Sequence, residues 1–218
     1  MLNPVTIGSA TLYHMDCMEY MATLPDNAFD LAIVDPPYGN NLSGGRSAKN
    51  GWNPNIDWDK CNKGWNINIP HQSYFDELRR ISHHQVIWGG NYFANMLPNS
   101  ECWIIWDKGQ RDFSLADGEL AWASFDKAVR IKTLFRAIAN QEAKIHPTQK
   151  PVKLYEWLLT NYAKPGQRIL DTHLGSGSSA IAANNLGFEF VGMELDEDYF
   201  KAACNRVTEA HRQIRLIA

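Results

Sequence analysis

Two consecutive prolines, Pro36 and Pro37, stand directly behind the apolar run DLAIVD (30–35). The run reads as a buried strand, yet proline lacks the N–H that a sheet ladder needs and holds φ near −65°. The strand must therefore end at Asp35, and Pro36, Pro37, Tyr38 and Gly39 must leave the sheet at that point. One strand end thus carries an acid, a rigid backbone carbonyl and an aromatic ring.

Further apolar runs follow the same style. QVIWG (85–89), CWIIWD (102–107), RILD (168–171) and FEFVGME (188–194) are short and mostly too continuous to leave one side in water. Between them lie helical patterns: SYFDELRRI from Ser73, with Asp76 three residues on as a capping pair; VKLYEWLLTNY from Val152; SSAIAANNL ending at Gly187; and a last helix from about Glu197. That last helix sets Phe200, Ala203, Cys204 and Val207 on one face. Strands alternating with helices predict an α/β fold, a mostly parallel sheet with helices on both faces. At 218 residues and 44% hydrophobic the chain suits one domain, 1–218. Its four cysteines form no C-x-x-C pair, which speaks for a reducing, cytoplasmic setting rather than a zinc site or disulfide framework. No stretch approaches the roughly 18 apolar residues of a membrane span, so no membrane partner is expected.

Two stretches carry the chemistry besides Asp35 to Tyr38. In RILDTHLGSGSSAIAANNLGFEFVGMELD a strand ends at Asp171, a turn containing Gly175 and Gly177 follows, a helix opens at about Ser178, and the next strand ends at Glu194. This is the layout of a nucleotide-binding β-α-β unit, in which glycines admit a ligand to the backbone and the second acid accepts ribose hydroxyls. A dinucleotide or an adenosyl compound would satisfy it. Residues 39–70, with five glycines, eight asparagines and three tryptophans and no regular period, read as a binding loop.

In a parallel sheet, strands ending at Asp35 and Asp171 bring their carboxyl ends to one edge, where ligands bind. Methylation of an exocyclic amine suits such a pair. The amine lone pair is conjugated into the ring, so two acceptors, one for each N–H, are needed to draw it out of the plane. The Asp35 carboxylate and the Pro36 carbonyl supply them, Pro37 stiffens the turn, and Tyr38 stacks on a base withdrawn from its duplex. The remaining work is positioning.

With these motifs in view, the chain resembles the amino-directed DNA methyltransferases of the permuted type often called the beta class. In these Asp-Pro-Pro-Tyr precedes the glycine-rich cofactor motif, on a Rossmann-like fold of circularly permuted motif order. LYHMDCMEYMATLPDNAFDLAIVDPPYG is similar to the family's opening, and HPTQKPVKLYEWLL (146–159) to its His-Pro-Thr-x-Lys-Pro segment. The resemblance implies S-adenosylmethionine as cofactor, with Asp16 at its adenine, Glu194 at its ribose, Thr148 and Lys150 beside its methionine end, and Asp171, Gly175, Gly177 and Ser178 forming the glycine turn. Asp171-Thr172-His173 departs from the family, which more often has Asp-Pro followed by an aromatic or cysteine. Dimerisation is implied by the resemblance alone.

DNA as partner fits the charge pattern. The chain carries −3 overall, but residues 127–153 hold seven Lys and Arg against the single acid Glu142, a patch suited to phosphate contacts. In the family a target-recognition region lies between the two motif groups; here only about residues 107–145 are available for it. The expected reaction is methyl transfer to adenine N6, since Ser commonly replaces the acid in enzymes acting on cytosine N4. The alternatives are cytosine-N4 transfer, a nicotinamide oxidoreductase built on the same glycine turn, and a catalytically silent nucleic-acid-binding module. His83 and His84 read as a cap or surface pair before a strand, WGGNYF (88–93) as a strand end and turn, Trp103 and Trp106 as core, and Asp196, Glu197 and Asp198 as helix N-terminal charges.

Overall fold

The run around Asp35 is buried on both sides, as its unbroken apolar character requires. Leu31 and Ile33 join one core while Ala32 and Val34 join another on the opposite face of the sheet. The computed structural model describes residues 4–39, 68–111, 116–135 and 144–217. Within them the elements run β1 (Val5–Ile7), β2 (Ala10–His14), α1 (Cys17–Met21), β3 (Phe29–Val34), α2 (Gln72–Ile81), β4 (Ser82–Trp88), β5 (Trp103–Asp107), β6 (Gly118–Ala123), β7 (Arg130–Thr133), α3 (Val152–Tyr162), β8 (Arg168–Asp171), α4 (Ser178–Leu186), β9 (Glu189–Glu194) and α5 (Glu197–Ile217).

All nine strands form one sheet in the order β1-β2-β9-β8-β3-β4-β6-β5-β7. The five central strands, β2 to β4, are mutually parallel, with Leu31 opposite Ile169 where β3 meets β8 and Leu12 opposite Gly192 where β2 meets β9. From β3 the chain proceeds to β4 on one side, and from β8 to β9 on the other. The β3/β8 junction is therefore the topological switch point. Leu154 and Leu158 of α3, Ile181 of α4 and Val207 of α5 pack on one face of the sheet; Tyr74, Phe75 and Leu78 of α2 and Met21 of α1 pack on the other. This is a Rossmann-like α/β architecture with helices on both faces. No helix among the described residues is long and apolar enough to cross a membrane.

The apolar runs at 30–35, 85–89, 102–107, 168–171 and 188–194 fall on β3, β4, β5, β8 and β9. Three local expectations are corrected. The α2 cap is His71, whose side chain accepts from the Ser73 N–H, while Asp76 is held by Gln72 and Arg79 instead of closing a capping pair with Ser73. His83 and His84 lie inside β4, because the register of β3 against β4 begins at Ser82; the His84 ring stacks on Phe125 at 4.2 Å. Trp106 is core, but Trp103 is only partly buried at its margin. The strands β1, β2, β6 and β7 carry too few apolar residues, or too short a run, to announce themselves. Of the loop expected at 39–70, residues 40–67 lie outside the described residues.

Candidate active site

Four strands of the parallel centre end on an acid at the same edge of the sheet. In spatial order these are β2 leading to Asp16, β9 ending at Glu194, β8 ending at Asp171 and β3 leading to Asp35. Asp16, Glu194 and Asp35 line a single cavity of about 490 Å³ together with Pro37, with Gly175 and Ser178 of the glycine turn, and with Thr148 and Lys150. The fold thus brings together eight of the twelve residues expected at the site. Pro36, Tyr38, Asp171 and Gly177 do not line it; Pro36 and Tyr38 adjoin Asp35 and Pro37, which do.

Asp171 has no solvent exposure. Its Oδ2 accepts from Ser179 Oγ at 2.6 Å and its Oδ1 from the His173 N–H at 3.0 Å, so it ties the glycine turn to the start of α4. Burial pushes its carboxyl up to about 7 against the pull of those two bonds. Gly177, at φ 75°, lies where a Cβ would come within 2.8 Å of Val207 Cγ2, so it serves the packing of α4 against α5. Gly175 donates its N–H to Glu194 Oε2 at 2.8 Å, and Asp196 donates to Glu194 Oε1 at 3.0 Å. Burial raises the Glu194 carboxyl above its ordinary value. Asp16 caps α1, accepting from the Met18 and Glu19 N–H groups through Oδ1. Ser178 Oγ takes a hydrogen bond from Arg206 at 2.9 Å.

At the other end of the cavity Asp35 accepts two hydrogen bonds, from Lys150 Nζ to Oδ2 and from the Tyr38 hydroxyl to Oδ1, both 2.5 Å. Lys150, whose side chain is 3% exposed, also reaches Tyr38 Oη at 3.1 Å and Glu119 Oε2 at 3.2 Å. Burial alone would weaken its ammonium, but Asp35 and Glu119 overcome that and hold it above its ordinary value. The Tyr38 phenol is driven well upward, first by burial and then by the charges of Asp35 and Glu119, so it remains a donor. Its ring stacks on Tyr92, centroids 5.0 Å apart, and a Cβ at Gly89 would fall 2.2 Å from Tyr38 Cε1. Gly89 (φ 70°) therefore seats the ring.

Thr148 pairs with His146 Nδ1 at 3.2 Å, and the His146 ring meets Tyr199 edge-on. Burial, helped by the charge on Lys150, pushes His146 down to about 4. Burial does the same to His173, whose Nδ1 contacts Thr172 Oγ1 at 2.9 Å. Both imidazoles are therefore neutral near pH 7. Lys150, expected beside the cofactor's methionine end, has its ammonium committed to Asp35. It is also no part of a phosphate-binding patch, and Lys127 has its amine on the Asn161 carbonyl at 3.0 Å. The basic stretch therefore offers less free charge than its composition indicates.

Sequence reasoning singled out WGGNYF for the close backbone approach that Gly89 and Gly90 permit, but missed Glu119 and the part of Tyr92. Gly89 and Tyr92 lie in WGGNYF, whose paired glycines were the available signal. Glu119 had none, because its link to Lys150 is made across the sheet edge by a strand that carries no clear pattern.

The sequence profile described as DNA methylase matches residues 82–205, more than half of the chain. The chain belongs to the DNA methylase family. Among its relatives, the type II methyltransferase M.HinfI of Haemophilus influenzae is 26% identical over 245 residues, covering 91% of this chain and 68% of that one. The putative methylase YubD of Escherichia coli (strain K12) is 25% identical over 219 residues, covering 92% and 91%. Two solved structures share the fold. The M1.HpyAVI-SAM complex aligns with TM-score 0.60 at 20% identity over 90% of this chain and 99% of that one. The PvuII DNA methyltransferase, described as cytosine-N4-specific, aligns with TM-score 0.60 at 12% identity over 96% and 93%. Family membership removes the nicotinamide oxidoreductase alternative and leaves the choice of amine open.

Proposed function

We propose that the chain transfers the methyl group of S-adenosylmethionine to the N6 amine of adenine in DNA. The observation that carries this reading is Asp35: an acid, where cytosine-N4 enzymes of the permuted type commonly have Ser, stands at the switch-point edge of the sheet and lines the same cavity as Asp16 and Glu194. Asp-Pro-Pro-Tyr preceding the glycine turn in the chain supports the permuted type.

The residues present fit the cofactor. A cavity of about 490 Å³ lies in the range of small-molecule sites. The Glu194 carboxylate, already fixed by two backbone N–H groups, retains lone pairs for ribose hydroxyls, and Asp16 faces the same chamber. Gly175 and Ser178 offer close backbone approach, and Thr148 a hydroxyl. When bound, S-adenosylmethionine supplies an electrophilic sulfonium methyl. The chain's own contribution is to hold the amine. Asp35 and the Pro36 carbonyl accept its two N–H groups and draw the lone pair out of conjugation; Asp35 then takes the proton that the amine sheds. For this the Tyr38 hydroxyl must yield Oδ1 of Asp35 to the incoming amine. The base would then stack against the Tyr38 ring. Residues 107–145, which include β6 and β7, would supply target recognition.

Nucleoside mass spectrometry of unmethylated DNA incubated with the protein and S-adenosylmethionine tests the proposal. N6-methyladenine is the expected product, and Asp35→Ala should lower its formation at least about 100-fold while cofactor binding persists. N4-methylcytosine would keep the mechanism and overturn the choice of base. An Asp35→Ala variant as active as wild type would remove the catalytic assignment.

A further inference from the structure

Lys150 holds more carboxylate than its bond to Asp35 requires. Its buried ammonium lies between Asp35 at 2.5 Å and Glu119 at 3.2 Å, and Glu119 in turn gives its other oxygen to Lys108 at 2.7 Å. Glu119 sits on β6, opposite Trp106 of β5, and is only 26% exposed. Burial works to raise its carboxyl, but Lys150 and then Lys108 override that and hold it down to about 2. It is therefore a fixed charge. The four groups, two acids and two lysines, form a chain from the sheet edge to the acid proposed to hold the substrate amine.

We propose that Glu119 is a positioning residue for methyl transfer, acting through the Lys150 ammonium that it shares with Asp35. The proposal rests on the role assigned to Asp35 above. An ammonium with one buried acid partner pulls that partner's charge fully onto itself; with two it divides the pull. Shared with Glu119, Lys150 locates Asp35 without exhausting it, and Asp35 keeps the acceptor strength that an amine N–H needs. Without Glu119 the ammonium would collapse onto Asp35 and Tyr38. The cluster of two acids and two lysines would go from neutral to +1, but the unmatched charge would rest on Lys108, which does not line the cavity, while the Asp35–Lys150 pair that does line it would stay neutral. The loss would appear in the chemical step and not in binding.

The test compares Glu119→Gln and Glu119→Asp with wild type, by single-turnover methyl transfer and by the dissociation constants of DNA and S-adenosylmethionine. Glu119→Gln is expected to slow single turnover at least about tenfold with both dissociation constants within about threefold of wild type. Glu119→Asp, which keeps the charge, should return the rate to within about threefold. An active wild type with an unimpaired Glu119→Gln overturns this inference alone. So does a Glu119→Gln that fails to fold beside a Glu119→Asp that folds and stays slow, since that would mark a structural role. A wild-type chain that methylates no amine overturns the proposed function as well.

Discussion

Asp171 is a fully buried carboxyl whose ionisation the fold opposes. A carboxyl raised from an ordinary 3.8 to about 7 binds a proton more tightly folded than unfolded. Its contribution to stability is therefore complete below pH about 4 and is lost as pH rises through about 7, an effect on the order of 4 kcal/mol. His146 and His173, both pushed down to about 4, act in the opposite sense: they favour the fold above the ordinary histidine value, and that contribution is lost as pH falls toward 4. The wild-type curve mixes the two, so the informative quantity is a difference. Asp171→Asn can still accept from the His173 N–H, and Ser179 Oγ can accept from the new amide. Urea titrations at pH 5 and pH 8 should find the variant's stability relative to wild type more favourable at pH 8. A difference that does not change with pH would mean that Asp171 is ionised at little cost.

At the level of elements, the seat of Tyr38 is the sharpest case. The turn after β4 brings Gly89 against the Tyr38 ring in a left-handed conformation. Gly89→Ala should cost about 1–2 kcal/mol for the backbone alone and move the ring, so single-turnover methylation should fall further than thermal stability explains. A variant with a lower melting temperature but unchanged turnover per folded molecule would show that ring placement is immaterial. The same region marks where the sequence was legible. Asp35 and Pro36 announced a strand end, and Gly175, Gly177 and Glu194 a nucleotide-binding turn, because backbone rules act over a few residues. The Ser73 cap failed because His71, two residues before the Ser73 sought as cap, takes the Ser73 N–H. Strand β6 escaped because its sequence, GELAWA, has no period of two: its first half is partly or fully exposed and its second half is buried. With it went Glu119, whose contact to Lys150 is a tertiary fact that no spacing records.

For the molecule as a whole, DNA binding must use charges that are free to meet phosphate. Lys150 is spent at the site, and Lys127 is occupied on α3. On the edge strand β7, Arg130 is exposed and Lys132 partly so. Replacing both with Gln should weaken DNA affinity and reduce the slope of log affinity against log salt by up to about 2, with cofactor affinity unaltered. An unaltered slope would move the DNA-binding face elsewhere. The bond between Asp35 and Lys150 spans 115 positions of sequence. On the ribosome, the acid emerges long before the lysine that locates it, and no growing chain that stops short of α3 can hold a working centre. The site is thus among the last things the protein acquires. In refolding, methyl-transfer activity should return with the slowest native signal and never ahead of it, so a partly made or partly unfolded copy leaves DNA unmarked.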